Sequence, residues 1–271
     1  HEPDRSRATG PDSLCAPYTP GSVTLTSEGP YVIDGDGDPD LVVMNLPIAR
    51  VYQNTGGAFI DVSAAANILG VEGSAGSYMP VLLLDVDDDH DLDIFFSRYQ
   101  QQNLLFMNNG AGVFSDETGA RLPVSVFDNV SAAAGDVNGD GYPDIITGTH
   151  NNRIDRLYLN GGLSQPGVFS DDTVPNMPSL YASNFGLDLG DIDGDGDLDV
   201  ALSAYYSPQN LLLRNEGAGL FVDVTSSNLP APPVTPYSSL DAKFGDVDND
   251  GDLDLMFVGD AGLVLLLNVN E

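Results

Sequence analysis

Five stretches of this chain crowd carboxylates into nine residues, and no uncompensated fold holds so many together. The fullest is Gly245 to Leu255, GDVDNDGDLDL, and Gly190 to Val200 reads GDIDGDGDLDV. Gly135 to Ile145 reads GDVNGDGYPDI. Leu84 to Ile94, LDVDDDHDLDI, and Val32 to Leu41, VIDGDGDPDL, are looser copies. Like charges a few ångströms apart repel strongly away from bulk water. A hard divalent cation cancels that repulsion, because Ca²⁺ takes six to eight oxygen ligands at about 2.3–2.6 Å. The pattern therefore predicts a calcium-loaded repeat protein.

The central residues of the stretches, Gly37, His90, Gly141, Gly196 and Gly251, stand 53, 51, 55 and 55 positions apart. Other landmarks keep the same step. Each loop leads into a short apolar run, such as Ile145-Ile146-Thr147 or Leu255-Met256-Phe257-Val258. A second run ends in Asn54, Asn108, Asn160, Asn215 or Asn268. A Gly-rich turn and Phe-x-Asp-x-Ser/Thr follow the first four, beginning at Phe59, Phe114, Phe169 and Phe221. Short β-branched or aromatic runs bounded by Gly, Asn and Asp read as strands. Four strands in a repeat of about 50 residues form the blade of a β-propeller. No stretch keeps a helical period, so helices should be nearly absent. The expected fold is all-β, a five-bladed β-propeller of four-stranded antiparallel blades carrying D-x-D-x-D-G-x-x-D loops. It occupies residues 21–271, behind a Pro-rich arm at residues 1–20.

Counted from its first ligand, each loop offers side-chain oxygens at positions 1, 3 and 5, a backbone carbonyl at 7 and a carboxylate at 9. The fifth loop supplies Asp246, Asp248, Asp250, Asp252 and Asp254, and the fourth Asp191, Asp193, Asp195, Asp197 and Asp199. The third supplies Asp136, Asn138, Asp140, Tyr142 and Asp144; Tyr142 serves because only its carbonyl is needed. These three are the well-formed sites. The second has Asp85, Asp87, Asp89, Asp91 and Asp93, but His90 where Gly would ease the turn. The first has Asp34, Asp36, Asp38 and Asp40, with Val32 at position 1. Both should bind Ca²⁺ more weakly. An EF-hand is excluded, since it needs Glu at position 12 and flanking helices; position 12 here is Thr147, Leu202 or Phe257.

The D-x-D-x-D-G-x-x-D loops, with Phe185-Gly186 leading into Gly190, resemble the FG-GAP/VCBS repeats of integrin α-chain propellers and of many secreted bacterial proteins. The resemblance spans residues 21–271. It implies the propeller and its calcium loops, and it leaves function open, because one fold hosts many functions.

The formal charge is −32, from 41 acidic and 9 basic residues, which would repel nucleic acid. No run of about 18 apolar residues is present to span a membrane. A chain beginning at His1 rather than Met fits a processed, secreted or cell-surface protein. Cys15 stands alone, so no disulfide forms within the chain.

In an alternating blade the connections opposite the calcium loops gather Tyr78, Arg98, Tyr99, Phe127, His150, Tyr181, Tyr205, Tyr206 and Tyr237. Aromatic and Arg side chains on loops over a rigid scaffold suit the binding of protein or glycan. The main functional expectation is therefore a calcium-binding adhesion or recognition module. The first alternative is a structural protomer that self-associates through residues 1–27, in a surface layer or filament. The second is a secreted hydrolase or lyase, but no G-x-S-x-G or H-E-x-x-H motif occurs, so no catalytic residue is assigned. The sequon Asn129-Val130-Ser131 could carry a glycan in a suitable host, with its place near a blade strand standing against it.

Overall fold

The computed structural model describes residues 31–45, 48–72, 80–207, 209–231, 238–260 and 262–268, with Met44 and Asn45 as backbone only. The strands fall into five antiparallel sheets, one to each acidic loop. Sheet one has β1 (Leu41–Asn45), β2 (Ile48–Asn54) and β3 (Phe59–Asp61). Sheet two takes β4 (Val81–Leu84) and β5 (Asp93–Phe96), passes over β6 (Tyr99–Gln102), and continues with β7 (Leu104–Asn108) and β8 (Phe114–Asp116). Sheet three is β9 (Val126–Gly135), β10 (Asp144–Thr149), β11 (Arg156–Gly161) and β12 (Gln165–Asp171). Sheet four is β13 (Asn184–Gly190), β14 (Asp199–Ala204), β15 (Leu211–Asn215) and β16 (Phe221–Asp223). Sheet five is β17 (Ser239–Gly245), β18 (Asp254–Gly259) and β19 (Gly262–Leu266).

The order within each sheet follows the chain, as expected of a β-propeller-like fold. One strand departs from it. β6 leaves sheet two and pairs with β9 at the edge of sheet three, Tyr99 opposite Asp128 and Gln102 opposite Val126, giving that sheet five strands. Its residues are polar and half-buried, so apolar periodicity could not reveal it. Helix is confined among the described residues to single turns, the longest Thr118–Arg121, Thr173–Asn176 and Thr225–Asn228.

The core is a row of four apolar layers, each between consecutive sheets. Between sheets two and three, Leu82, Val86, Phe95, Leu105 and Met107 pack on Ile145, Tyr158 and Phe169. The layers on either side follow the same plan, with Phe114 and Phe221 in place of Phe169. Sheets five and four meet through Ala242, Leu255 and Phe257 against Ala201 and Leu212. The sheets approach most closely where Gly is fixed. A Cβ on Gly186 would lie 2.5 Å from the Cα of Asp241, so the Phe185-Gly186 pair marks a backbone contact between sheets four and five.

The Phe-x-Asp-x-Ser/Thr motif also acquires a physical cause. The Asp carboxylate caps a tight turn: Asp116 accepts the Thr118 N–H at 3.0 Å, and Asp223 the Thr225 N–H at 3.0 Å. The hydroxyl then reaches back to the neighbouring strand. Thr118 Oγ1 accepts the Leu105 N–H, Thr173 Oγ1 the Leu157 N–H, and Thr225 Oγ1 the Leu212 N–H, at 3.0–3.1 Å. Ser63 does the same for Val51 at 3.0 Å. The expected arm at residues 1–20 and the segment 1–27 expected to self-associate lie outside the described residues.

Candidate functional site

The acidic loops share one backbone scaffold. In loop three, Asp136 Oδ1 accepts the N–H of Gly139 at 2.8 Å and of Asp140 at 3.1 Å, and its Oδ2 accepts that of Gly141 at 2.8 Å. Asp191 binds Gly194, Asp195 and Gly196 in the same way. Asp246 binds Asp250 and Gly251, and Asp85 binds Asp89 and His90. The alternating carboxylates thus fold the loop inward, each accepting a N–H a few residues ahead. The middle residue needs positive φ, which Gly37, Gly141, Gly196 and Gly251 supply at 90–98°. His90 adopts φ 71° in the same place.

The ninth-position Asp is the buried anchor. Asp144 accepts the Val137 N–H at 3.0 Å with Oδ2 and the Asn160 N–H at 2.8 Å with Oδ1, tying loop start to strand end. Asp93, Asp199, Asp254 and Asp40 repeat both bonds. Burial pushes the carboxyls of Asp93 and Asp144 up to about 7 and that of Asp199 to about 6. Neighbouring carboxylates add to the rise, and the two backbone N–H bonds oppose it. Burial likewise raises Asp40 and, with Asp89 beside it, Asp87.

Three loops bring carboxylate oxygens within 4.8 Å of one another: Asp85, Asp87 and Asp93; Asp191, Asp193 and Asp199; Asp246, Asp248 and Asp250. Asp85 and Asp88 also converge with His90. Oxygen donors at this spacing suit a hard cation. Asp87 Oδ1 adds a second indication, for it is buried with no hydrogen-bond partner among the described residues. The donor set therefore fits Ca²⁺. Loop two, ranked below loop three on sequence because of His90, holds three converging carboxylates. Loop three has the neutral Asn138, whose amide turns to Asp140 at 3.3 Å. In loop one, Asp34 is engaged by the Gln53 amide, and Asp38 accepts the Gly56 N–H at 2.9 Å.

The Asn that ends the third strand of each repeat is a joint. Asn108 Nδ2 donates to the Ile33 carbonyl at 2.8 Å, and Asn160 Nδ2 to that of Val86 at 2.8 Å. Asn215 reaches Val137 at 2.7 Å and Asn268 reaches Ile192 at 2.8 Å. In every case the acceptor is position 2 of the preceding loop, so each sheet latches onto the loop of the sheet before it. The sequence marks these residues as landmarks but gives no sign of this role.

At the other ends of the central strands, about 20 Å away for a six-residue strand, aromatic rings collect. Tyr99 and His150 lie 6.3 Å apart between ring centroids, His150 and Phe185 5.0 Å, Phe185 and Tyr205 4.8 Å, and Tyr205 and Tyr206 4.1 Å. Tyr206, at φ 59°, is 78% exposed. Four of the nine residues expected on this face thus join one run. Phe185 completes it; in the sequence that residue stands out only as part of the repeat signature Phe185-Gly186. Phe127 stands apart beneath the Arg156 guanidinium, 3.6 Å from its centroid. Tyr181 is exposed outside the run. Arg98 is held by the carbonyls of Glu72 and Gln102 at the edge of a cleft lined also by Asn67, Gln101 and Asp116. Tyr78 and Tyr237 lie outside the described residues.

Polar groups flank the run. Asn151 Nδ2 donates to Tyr99 Oη at 3.1 Å and to Asp128 at 3.0 Å, and Arg153 Nε donates to Asp128 at 3.0 Å. Burial pushes the Asp128 carboxyl up, but the Asn151 and Gln100 amides and the Arg153 charge outweigh it and hold it below its ordinary value. Asn129 is fully buried and donates to Asn103 Oδ1 at 2.9 Å, so the folded sequon offers no glycan site.

Three overlapping stretches, residues 85–147, 136–202 and 191–257, match the FG-GAP-like repeat, each running from one acidic loop into the central strand of the next sheet. The chain belongs to the FG-GAP-like repeat family. Among curated relatives, human cartilage acidic protein 1 is 27% identical over 97% of this chain, and the mouse protein 28% identical over 99%. The chain spans only 39% and 41% of those proteins. Among solved structures, an Agrocybe aegerita lectin, described as specifically recognising non-reducing terminal N-acetylglucosamine, superposes with TM-score 0.52 at 19% identity. That match covers 87% of this chain and 61% of the lectin, and it is a likeness of fold.

Proposed function

We propose that this FG-GAP-like chain is an extracellular, calcium-stabilised recognition module without chemistry of its own. Residues 21–271 supply five propeller blades, with residues 1–20 as an arm ahead of them. Calcium is held by the loop carboxylates, most firmly where three converge, as at Asp191, Asp193 and Asp199. There it offsets the mutual repulsion of groups that also anchor strands, so it acts as structural cement. Millimolar calcium outside cells suits sites of this kind.

The observation that carries the reading is the unbroken run from Tyr99 through His150, Phe185 and Tyr205 to Tyr206. Rings presented at strand ends and in the adjoining connections, with Asn151, Arg153 and Asp128 beside them, suit stacking on the apolar face of a sugar while polar groups meet its hydroxyls. We assign a glycan as the ligand class. The fold likeness to a lectin accords with this choice but names no sugar. The test is a glycan array on the calcium-loaded chain and on Tyr205→Ala/Tyr206→Ala. The double variant should lose binding while calcium content and melting stay near wild type. Leu163→Ser, on an exposed turn beside the acidic loops, should bind normally. Undiminished binding by the double variant would remove the site from this face.

A further inference from the structure

The chain has a formal charge of −32, yet the connections that carry Tyr99, His150 and Tyr205 are not acidic. Residues 97–103, 150–155 and 204–210 hold two arginines, Arg98 and Arg153, and one carboxylate, Asp155, which is buried. Arg98 spends its guanidinium on the carbonyls of Glu72 and Gln102. Arg153 is placed differently.

The ion pair of Arg153 with Asp128 is lopsided, for the Asp128 side chain is 5% exposed and that of Arg153 56%. Asp128 Oδ2 accepts Arg153 Nε and Asn151 Nδ2, each at 3.0 Å, and Asn151 Nδ2 also reaches Tyr99 Oη at 3.1 Å. One carboxylate oxygen thus sets a guanidinium, an amide and the first ring of the run side by side. The backbone is fixed as well. The Arg153 carbonyl accepts the Thr149 hydroxyl at 3.0 Å, and Arg153 bridges to Ala182. Only Nε is engaged; among the described residues the two terminal nitrogens of Arg153 make no hydrogen bond. A guanidinium held in this way presents its terminal N–H groups as a fork that matches the two oxygens of a carboxylate. The acidic loops lie at the opposite ends of the strands, about 20 Å away, well beyond a Debye length of about 8 Å at physiological salt. They leave the charge of Arg153 in force at short range, while a neutral sugar would leave the fork to water.

We propose, resting on the glycan reading of this face, that the glycan carries a carboxylate, as a uronic acid does, and that Arg153 receives it as a bidentate anchor beside the rings. Asp128 is the positioning residue, holding Nε so that the fork is set before the ligand arrives. Its own carboxyl, kept below the ordinary value by the Asn151 and Gln100 amides and by Arg153, stays ionised to do so.

The test sets a short glucuronate-containing oligosaccharide against the same oligosaccharide with its carboxyls reduced to alcohols. Isothermal titration calorimetry on the full calcium-loaded chain, at fixed free calcium, reads both. Wild type should bind the acidic form tighter by about tenfold or more, with the advantage shrinking as NaCl rises. In Arg153→Gln the ratio of the two affinities should fall to near one. Arg153→Lys, which keeps the charge and loses the fork, should fall between. Melting and calcium content check both folds, and the wild-type comparison needs no variant at all. Equal binding of the two forms by wild type would overturn the carboxylate anchor and leave the glycan reading standing. A preference undiminished in Arg153→Gln, or tighter binding of a sulfated form than of the glucuronate form, would overturn it too. Should neither form bind while neutral glycans bind on the array, the acidic ligand alone falls; a blank array would sink both readings.

Discussion

The Asn160 side-chain amide bridges two carbonyls, Val86 O in the loop of the preceding sheet at 2.8 Å and Pro143 O in its own loop at 3.2 Å. Its Oδ1 accepts the N–H groups of Gly162 and Gly167. One buried carboxamide thus joins an acidic loop, a glycine turn and the neighbouring sheet. Asn160→Ala removes these bonds and leaves buried acceptors unpaired, which should cost about 2–4 kcal/mol in urea unfolding. Asn268→Ala, at the half-open end, should cost less. Equal losses would mean that the latch contributes through local structure alone.

Chelation should lower the melting temperature, because carboxylates that fold inward on one another lose their common counter-charge. Asp250→Ala, in a converging trio, should lower the calcium-loaded melting point more than Asp36→Ala. Differential scanning calorimetry with and without chelator measures both. An unchanged melting temperature in excess chelator would refute structural calcium.

The second loop makes its turn with the wrong residue. His90→Gly should relieve a left-handed side-chain conformation and stabilise the fold by up to about 1 kcal/mol. Gly141→Val, at φ 91°, should destabilise it by about 1–3 kcal/mol. Chemical denaturation of the two variants tests the pair.

Asp155 lies buried where sheets two and four carry Asn103 and Asn210. It accepts the Thr149 N–H at 2.7 Å and the Asn184 amide at 2.6 Å, while Asn184 Oδ1 has no hydrogen-bond partner among the described residues. Burial pushes its carboxyl up to about 7, above the ordinary 3.8, against those two bonds. Because the folded value is the higher one, the charge costs stability progressively as pH climbs from about 4 to about 7, and the cost is complete above that. In saturating calcium at pH 8, Asp155→Asn should be more stable than wild type by about 1–3 kcal/mol. At pH 5 most of that gain should vanish. A gain independent of pH would show that Asp155 is not the titrating group.

Gly186→Ala should be among the most damaging small substitutions, since its new methyl would meet the backbone of Asp241. Overpacking of this kind costs about 1–3 kcal/mol. Thermal melting against Gly119→Ala, whose surroundings are open, isolates the effect.

The repeat, its strands and its acidic loops were legible because each rests on local chemistry. Alternating Asp fixes the loop, β-branched runs fix the central strands, and Asn marks where the third strand stops. What escaped depends on partners far away in sequence. Asn160 meets Val86 across 74 positions, and nothing beside either residue announces it. Phe185 looked like punctuation until the fold set it between His150 and Tyr205. Gln53 reaches across to Asp34 and alters the first loop from a neighbouring strand, which loop spacing cannot reveal.

The migration of β6 onto β9 has a mechanical consequence. The connection from β5 to β7 of sheet two runs through β6 and so pairs by backbone hydrogen bonds with the edge of sheet three, beside the apolar layer and the latch of that joint. At the joint of sheets three and four, the β-bridge between the connecting segments among the described residues is the pair Arg153 and Ala182, with side-chain bonds such as Asn184 to Asp155 beside it. Stretched from its ends, the row of sheets would hold longest between sheets two and three. Sheets two and three would come away together, as a knot in the grain of the chain around which the rest can tear.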